Sequence, residues 1–389
     1  MRRIGGMLHL LVVVALLAPV QAAAHDASAY GGVFRSRSMG GAWLNADAGL
    51  FLSAALTVAV DPRDPNHLLM GSDSGLLASV NGGRSWTQEA PTLISGAVFA
   101  VAFSPDGAVV VCVAPGGVYR NIDGNWRRSD APLGATPSRG VVFGAAPKRL
   151  YLLGRDRLFI SNDGGAHFAR VPDDADDAEG LESLAILRQP SETLFAVAHG
   201  RLVVSTDGGQ HWQQRPVTGS ADPIETVIPD PTVPNRVWAA AANRLYVSSD
   251  SSRQWQAIGS VFPEMHTVVR GIAADPAATT LVVTTHRGTY RSTDGGAHWV
   301  LEEGNLPVHL EAGPLARDPG NPSVLYVVYS LVPYPEVWRS ALDGSNLLAR
   351  ADPMSLIGGL AFLLLLLLSG ALLVAWLVRR RSEIPGAAR

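Results

Sequence analysis

Short apolar stretches separated by turn-forming residues run along most of the chain. Between residues 268 and 303 the sequence contains "VVRGIAADP", "TTLVVTTH", "GTYRSTD" and "AHWVLEE", and residues 140–171 follow the same scheme. Short runs rich in Val, Thr, Tyr or Trp, bounded by Gly, Pro, Asp or Asn, are typical of β-strands. Between the two chain ends no long segment has helical periodicity. The pattern therefore predicts an all-β body built from units of four short strands.

One phrase, Ser-x-Asp-x-Gly-x-x-Trp, marks these units. Complete or partial copies are formed by Ser79, Asn81 and Trp86, by Asp123 and Trp126, by Ser161, Asp163 and Phe168, by Ser205, Asp207 and Trp212, by Ser248, Asp250 and Trp255, and by Ser292, Asp294 and Trp299. A weaker copy ends at Trp43, and a degenerate one spans residues 340–347. The aromatic position returns every 40 to 44 residues. This period is typical of β-propeller blades.

The repeat predicts a seven-bladed propeller with four-stranded blades. Seven four-strand units begin near Leu56, Val98, Arg139, Leu181, Ile224, Val268 and Leu310. The last unit has a poor fourth strand, and an open edge strand invites aggregation. We therefore expect the segment around Trp43 to supply the outer strand of the final blade. Eight blades are the alternative, if the N-terminal hairpin recruits strands of its own.

The phrase resembles the Asp-box, or BNR repeat, of sialidases, sortilin-type sorting receptors and propellers related to the photosystem II assembly factor Ycf48/HCF136. In those families the boxes join the third and fourth strands, on the face away from the ligand. Asp and Ser side chains accept bonds from nearby backbone N–H groups and close tight turns. Since a catalytic aspartate repeated around a ring would have no single substrate, we interpret these residues as structural.

The two chain ends predict membrane targeting. Residues 1–24 combine a basic start, an apolar run and an Ala-x-Ala site, which indicates a signal peptide, with an uncleaved anchor as the alternative. Residues 353–378 are apolar enough to predict a transmembrane helix. The arginines at 379–381 place the tail, 379–389, in the cytoplasm and the propeller, 25–352, on the extracytoplasmic side. A protease-processed sorting tail containing Gly358 and Gly359 is the other interpretation.

Composition excludes several classes of protein. The formal net charge of −3 gives no support for nucleic-acid binding. The single cysteine, Cys112, can form neither an internal disulfide nor a zinc cluster, and its apolar surroundings predict a buried packing residue.

No cofactor or metal site is expected. His167, His211 and His298 occupy one repeat position in separate blades, so they cannot converge on one ion. His25 and Asp26 form an isolated pair. The acidic stretch 172–182 carries Asp173, Asp174, Asp176, Asp177 and Glu179 but lacks the spacing of an EF-type calcium loop. A solvated loop, or a patch for a basic partner, is the preferred interpretation.

The sialidase resemblance does not extend to catalytic residues. Those enzymes use three arginines, a nucleophilic tyrosine with a carboxylate partner and an acid/base aspartate, and their Arg-Ile-Pro phrase is missing before the first box. Tyr119, Tyr246 and Tyr290 share one repeat position, so each is expected to pack rather than react. We therefore expect no enzymatic activity, with a sialidase-like glycoside hydrolase as the alternative.

Four arginines are the leading candidates for binding a partner. Arg157, Arg201, Arg244 and Arg287 precede the third strands of consecutive units. We expect them on the face opposite the boxes, close to the central channel, where guanidinium groups would suit carboxylates or a polar protein segment. Alternatively, they only cap tight turns. Tyr334, in the proline-framed loop 330–336, is a further candidate contact, or it braces the ring closure.

The sequence thus predicts a membrane-anchored, non-catalytic propeller that binds protein partners. The resemblance to Ycf48/HCF136 implies a scaffold or assembly factor for membrane or envelope proteins. A sortilin-like receptor for secreted ligands is another alternative.

Overall fold

The computed structural model describes residues 31–47, 50, 52–132, 138, 140–154, 157–172, 180–342 and 369. The predicted leader, the tail and, apart from Ser369, the predicted transmembrane segment lie outside these residues. Within the described part of the chain, no helix has the length and apolar character needed to cross a bilayer.

The described residues form seven four-stranded antiparallel sheets, as the repeat predicts. The first four blades in chain order contain β3 (Ala55–Val60), β4 (Leu68–Ser72), β5 (Leu76–Ser79) and β6 (Thr87–Glu89); β7 (Ala100–Phe103), β8 (Val109–Ala114), β9 (Gly117–Ile122) and β10 (Asn125–Arg128); β11 (Gly140–Phe143), β12 (Leu150–Leu153), β13 (Leu158–Ser161) and β14 (Ala169–Arg170); and β15 (Leu181–Leu187), β16 (Thr193–Ala198), β17 (Arg201–Ser205) and β18 (Gln213–Gln214).

The remaining three blades complete the ring. They contain β19 (Ile224–Pro229), β20 (Val237–Ala241), β21 (Arg244–Ser248) and β22 (Gln256–Ile258); β23 (Val269–Ala274), β24 (Leu281–Thr285), β25 (Gly288–Ser292) and β26 (Val300–Leu301); and β27 (Glu311–Arg317) and β28 (Leu325–Ser330) with β1 (Gly32–Ser36) and β2 (Trp43–Asn45). Seven blades are confirmed, and the eight-bladed alternative is wrong for the described residues.

Blade 7 joins the two ends of the propeller. Its strand order is β2-β1-β28-β27, so the segment at Trp43 is the outer strand, as expected. The expectation that the unit beginning at Leu310 supplies the other three strands is wrong, however, because the C-terminal part contributes only two. The third is β1, which pairs with β28 through Val33 and Val328. Closure therefore rests on a whole hairpin rather than on one added strand.

The chain after β28 forms a helix, α1 (Tyr334–Leu342), where a loop and a degenerate repeat copy were expected. Its residues 334, 337, 338 and 341 lie on one face. Val337 is buried against Leu56 and Phe99, with Trp338 packed beside it. The Phe99 ring meets those of Tyr334 and Trp338 edge-on, with centroids 5.8 and 4.8 Å away. The helix therefore covers the ends of blades 1 and 2 near the start of their first strands.

Apolar packing between the sheets forms the core. The repeat aromatics Trp43, Phe168, Trp212, Trp255 and Trp299 are buried. Trp86 and Trp126 are half-buried and donate their indole N–H groups to Ala46 O and Glu89 Oε1, at 2.8 and 2.7 Å. Cys112 is buried in β8, as predicted, and burial raises the pKa of its thiol.

Candidate functional site

The serines and aspartates of the repeated phrase form turns between the third and fourth strands, here called box turns. At residues 205–212 the Ser205 hydroxyl donates to Asp207 Oδ1 at 2.8 Å and accepts the Gly209 N–H at 2.8 Å. Asp207 Oδ1 also accepts the N–H groups of Gln210 and His211. The box turns beginning at Ser161, Ser248 and Ser292 have the same core of bonds, and Asn81 replaces the aspartate at Ser79.

The shortened copy at Asp123 differs from the others. Asp123 and Gly124 are the two central residues of a hairpin between β9 and β10, with φ of 52° and 80°. Positive φ at both positions is the geometry of a tight two-residue hairpin turn. This copy therefore closes a hairpin without the serine-centred bonds of a box turn.

The histidines of three box turns bind the aspartates of their own turns. The distances from Nδ1 of His167, His211 and His298 to their aspartates are 2.7, 2.6 and 2.6 Å. Partial burial raises the pKa of Asp163 and Asp207, but histidine and backbone bonds outweigh it and leave both at about 2. Bonds from His298 hold the pKa of Asp294 at about 2 as well.

A metal centre is not assembled by the residues that the structure describes, since they contain no group of three His, Cys, Asp or Glu side chains placed to share an ion. The acidic candidates Asp173, Asp174, Asp176, Asp177 and Glu179 lie outside the described residues. Tyr119, Tyr246 and Tyr290 are buried in the third strands of three blades. Each packs within the sheets.

The structure places the four candidate arginines at turns between second and third strands. Arg201 and Arg244 begin β17 and β21, Arg157 precedes β13, and Arg287 lies in the turn between β24 and β25. These turns are at the strand ends opposite the box turns. The first strands of neighbouring blades contact one another and line the channel, and these turns lie outward of them, between the second and third strands. The expected closeness of the arginines to the channel stays a prediction.

Two of the arginines flank an apolar loop, residues 259–268, between blades 5 and 6. The Phe262 N–H donates to Asn243 O at 2.8 Å, and the Val268 N–H donates to His286 Nδ1 at 3.0 Å. These bonds fix the loop between the turns that carry Arg244 and Arg287. Arg287 Nε lies 3.4 Å from Glu264 Oε2, with both side chains about half exposed.

Large apolar side chains of this loop face solvent. Met265 is 74% exposed, and Val261 and Val268 are also exposed. Together with Arg244 and Arg287 they are here called the arginine–methionine surface. The sequence analysis missed its apolar part. Val261, Met265 and Val268 in a loop between two predicted blades could have indicated an exposed apolar site.

The other candidates lie around this surface. Arg201 is exposed and lines a depression of about 350 Å³ with Arg215 and Asp222. Arg157 is half-buried. Tyr334 begins α1 rather than lying in an open loop, and the Arg270 guanidinium lies 5.4 Å from its ring centroid. Its role as a partner contact stays a prediction.

A second concave region lies at the box-turn end of the channel. This channel cavity measures about 610 Å³ and is lined by the ends of the first strands of blades 4–7 and by the loops that follow them. Arg188 and Arg317 contribute charge, and Ile186, Ile228, Ile272 and Leu315 contribute aliphatic surface. Sequence reasoning missed it because it followed the turns before the third strands and left the loops after the first strands aside.

Comparison with known proteins identifies similarity at the level of fold. No protein-family model matches the sequence, and no curated protein is significantly similar to it. A structure of Ycf48 bound to D1 peptide is 16% identical, with a TM-score of 0.53 over 72% of this chain and 94% of that chain. Ycf48 from Cyanidioschyzon merolae is 16% identical, with a TM-score of 0.55 over 72% and 97%.

A third similar structure comes from a bacterium. The extracellular domain of BT4673 from B. thetaiotaomicron is 12% identical, with a TM-score of 0.56 over 72% of this chain and 39% of that chain. At these identities the likeness concerns the fold alone. The chain thus has a seven-bladed propeller fold similar to that of Ycf48.

Proposed function

We propose that the chain is a non-catalytic propeller that binds a protein partner through the face opposite the box turns. The observation that carries this proposal is the arginine–methionine surface, where exposed Val261, Met265 and Val268 lie between Arg244 and Arg287. Exposed apolar side chains with flanking arginines are typical of interaction sites, since Met and Arg are both enriched there. A partner segment with an apolar residue between carboxylates would match it.

Arg157 and Arg201 extend the positive charge toward blades 3 and 4. A partner segment longer than the arginine–methionine surface would reach Arg201. This residue is exposed and is the first residue of the third strand of the neighbouring blade. The structure of Ycf48 bound to D1 peptide supports the proposal by analogy of fold, because it is a propeller of this shape that holds a peptide.

The proposed setting is the outer side of a membrane. Residues 1–24 would direct export, residues 353–378 would anchor the chain, and residues 379–389 would stay in the cytoplasm. The uncharged apolar stretch and the arginines at 379–381 support this arrangement. The partner would then be a membrane or envelope protein, and the function that of a scaffold or assembly factor. Turnover of sialosides or other glycosides by the purified chain would contradict the non-catalytic part.

Reversing the charge of the surface tests the proposal. We expect the variant R201E/R244E/R287E to lose at least about tenfold in capture of the partner from native membranes, because buried charge pairs left without their partners cost several kcal/mol. All three positions are at turns, so the fold is retained, and the thermal melting temperature checks this. The matched control is R84E, an exposed arginine in the box turn of blade 1. Equal capture by the triple variant and R84E would refute the proposal.

A further inference from the structure

The channel cavity lies on the face that the proposed function leaves unused. Four aliphatic side chains from four consecutive blades, Ile186, Ile228, Ile272 and Leu315, form part of its lining. Pro229, Pro231 and Pro234 add rigid apolar surface. A volume of about 610 Å³ with mostly apolar walls and a few polar groups is the usual form of a site for a small organic molecule.

Two arginines give this apolar cavity its charge. Arg317 is held in place, since it donates to Ala274 O at 2.8 Å and to Thr232 Oγ1 at 3.1 Å. Arg188 donates Nε–H to Phe143 O at 2.9 Å, and no other bond from its guanidinium to the described residues is present. Its two terminal amino groups therefore remain open to the cavity.

The cavity walls partly desolvate both guanidinium groups. Arg188 is exposed to the cavity, yet the surrounding protein displaces enough solvent to lower its pKa, and the same desolvation lowers the pKa of Arg317. A bound anion would relieve this unfavourable desolvation.

The carboxylate in the lining does not neutralise Arg188 and Arg317. Of the described lining residues, Asp230 is the one carboxylate, and it already lies 2.8 Å from the buried Arg236 guanidinium. Outside the lining, Glu192 acts to raise the pKa of Arg188 and Asp275 that of Arg317, but desolvation outweighs both. The described lining itself holds two arginines and one carboxylate, so it keeps surplus positive charge.

At the other end of the channel the first strands begin with Glu182, Glu225 and Glu311, and among the described residues Arg270 pairs with Glu311 alone, which leaves the first two acids in excess. The field along the channel therefore favours an anion at the box-turn end.

We propose that the channel cavity binds a small carboxylate carried on an aliphatic body. The two terminal amino groups of Arg188 would hold the two carboxylate oxygens, since the guanidinium fork matches a carboxylate in two parallel bonds. The Ile and Leu side chains would cover the aliphatic body. Because one guanidinium offers open donors, a monoanion suits the site. The free acid and the C-terminus of a peptide ending in an aliphatic residue share this chemistry.

Calorimetric titration of the purified full chain with N-acetyl-L-leucine tests the inference. We expect saturable binding, at least about tenfold weaker for N-acetyl-L-leucinamide, which lacks the charge, and for acetate, which lacks the aliphatic body. R188Q should weaken binding of N-acetyl-L-leucine at least about fivefold, with R188K between the two because it keeps the charge but not the fork. A peptide ending in Ala-Leu, compared with its C-terminal amide, separates a peptide source from a free acid.

The controls keep this site distinct from the proposed partner surface. R201Q, on the opposite face, should bind N-acetyl-L-leucine like the unmodified chain. Circular dichroism melting of R188Q checks that the propeller is intact. Absence of saturable binding, or equal affinity in R188Q and the unmodified chain, would overturn the inference, while neither result would affect partner capture through Arg244 and Arg287.

Discussion

Val33→Asp in β1 is expected to destabilise the propeller by about 4 kcal/mol or more, because it places a carboxylate without a counter-ion in the core. Val33 is 0% exposed and packs in a cluster with Ala46, Met70 and Val328. It lies opposite Val328 in the pairing that closes the ring. Loss of this contact disrupts two neighbouring blades together. Denaturant unfolding followed by tryptophan fluorescence measures the effect.

Leu44→Asp in the same hairpin is the matched control. Leu44 in β2 is 60% exposed, so the same substitution adds a charge that remains in water. We expect a change in unfolding free energy within about 0.5 kcal/mol. Similar losses in the two variants would mean that β1 does not fill the third position of blade 7.

Asp230→Ala is expected to lower the free energy of unfolding by about 3 to 5 kcal/mol, because it leaves the Arg236 charge buried without its partner. The two side chains are only 2% and 6% exposed. Asp230 also accepts the indole N–H of Trp238 at 3.2 Å, and Arg236 donates to Asp275 O and Pro276 O of the next blade. The pair therefore fastens blade 5 to blade 6.

Two further variants show whether the loss comes from breaking the Asp230–Arg236 pair. Asp222→Ala removes an exposed carboxylate just before the first strand of the same blade. Its free energy of unfolding should stay within about 0.5 kcal/mol of that of the unmodified chain. Asp230→Ala combined with Arg236→Met should recover part of the loss, because the unpaired charge is gone. A double variant as unstable as the sum of the two single ones would contradict the account of the pair.

The repeat made the blades predictable. An aromatic at a fixed period has to pack at equivalent places, so its register sets both the number of blades and the start of each first strand. The observed starts at Ala55, Gly140 and Glu311 lie within one residue of the predicted ones. Local turn chemistry was equally readable, because serine and aspartate close the box turns with bonds to residues only a few positions away.

The closure and the helix were less accessible. Joining β28 to β1 is a contact between distant parts of the chain, which no local pattern encodes. The helix does have a local signal, since Tyr334, Val337, Trp338 and Ala341 follow helical spacing. Pro333 and Pro335 obscured it, because prolines are read as loop residues although the first turn of a helix accepts them.

The candidate sites depended on three-dimensional placement. The arginine spacing located the correct turns, but the apolar loop beside Arg244 and Arg287 becomes part of the surface only through its bonds to Asn243 and His286. The channel cavity gathers side chains from four blades. Such a site has no contiguous sequence signature, so it emerges only when the ring is closed.

Site-specific photocrosslinking tests the central claim most directly. A benzoylphenylalanine in place of Met265, which is 74% exposed on the arginine–methionine surface, is compared in native membranes with one in place of Val80, which is 76% exposed in a box turn. We predict a discrete protein adduct from position 265 that disappears in the R244E/R287E background, and none from position 80. An adduct from position 80 alone, or one at position 265 that is unchanged by R244E/R287E, would contradict the account.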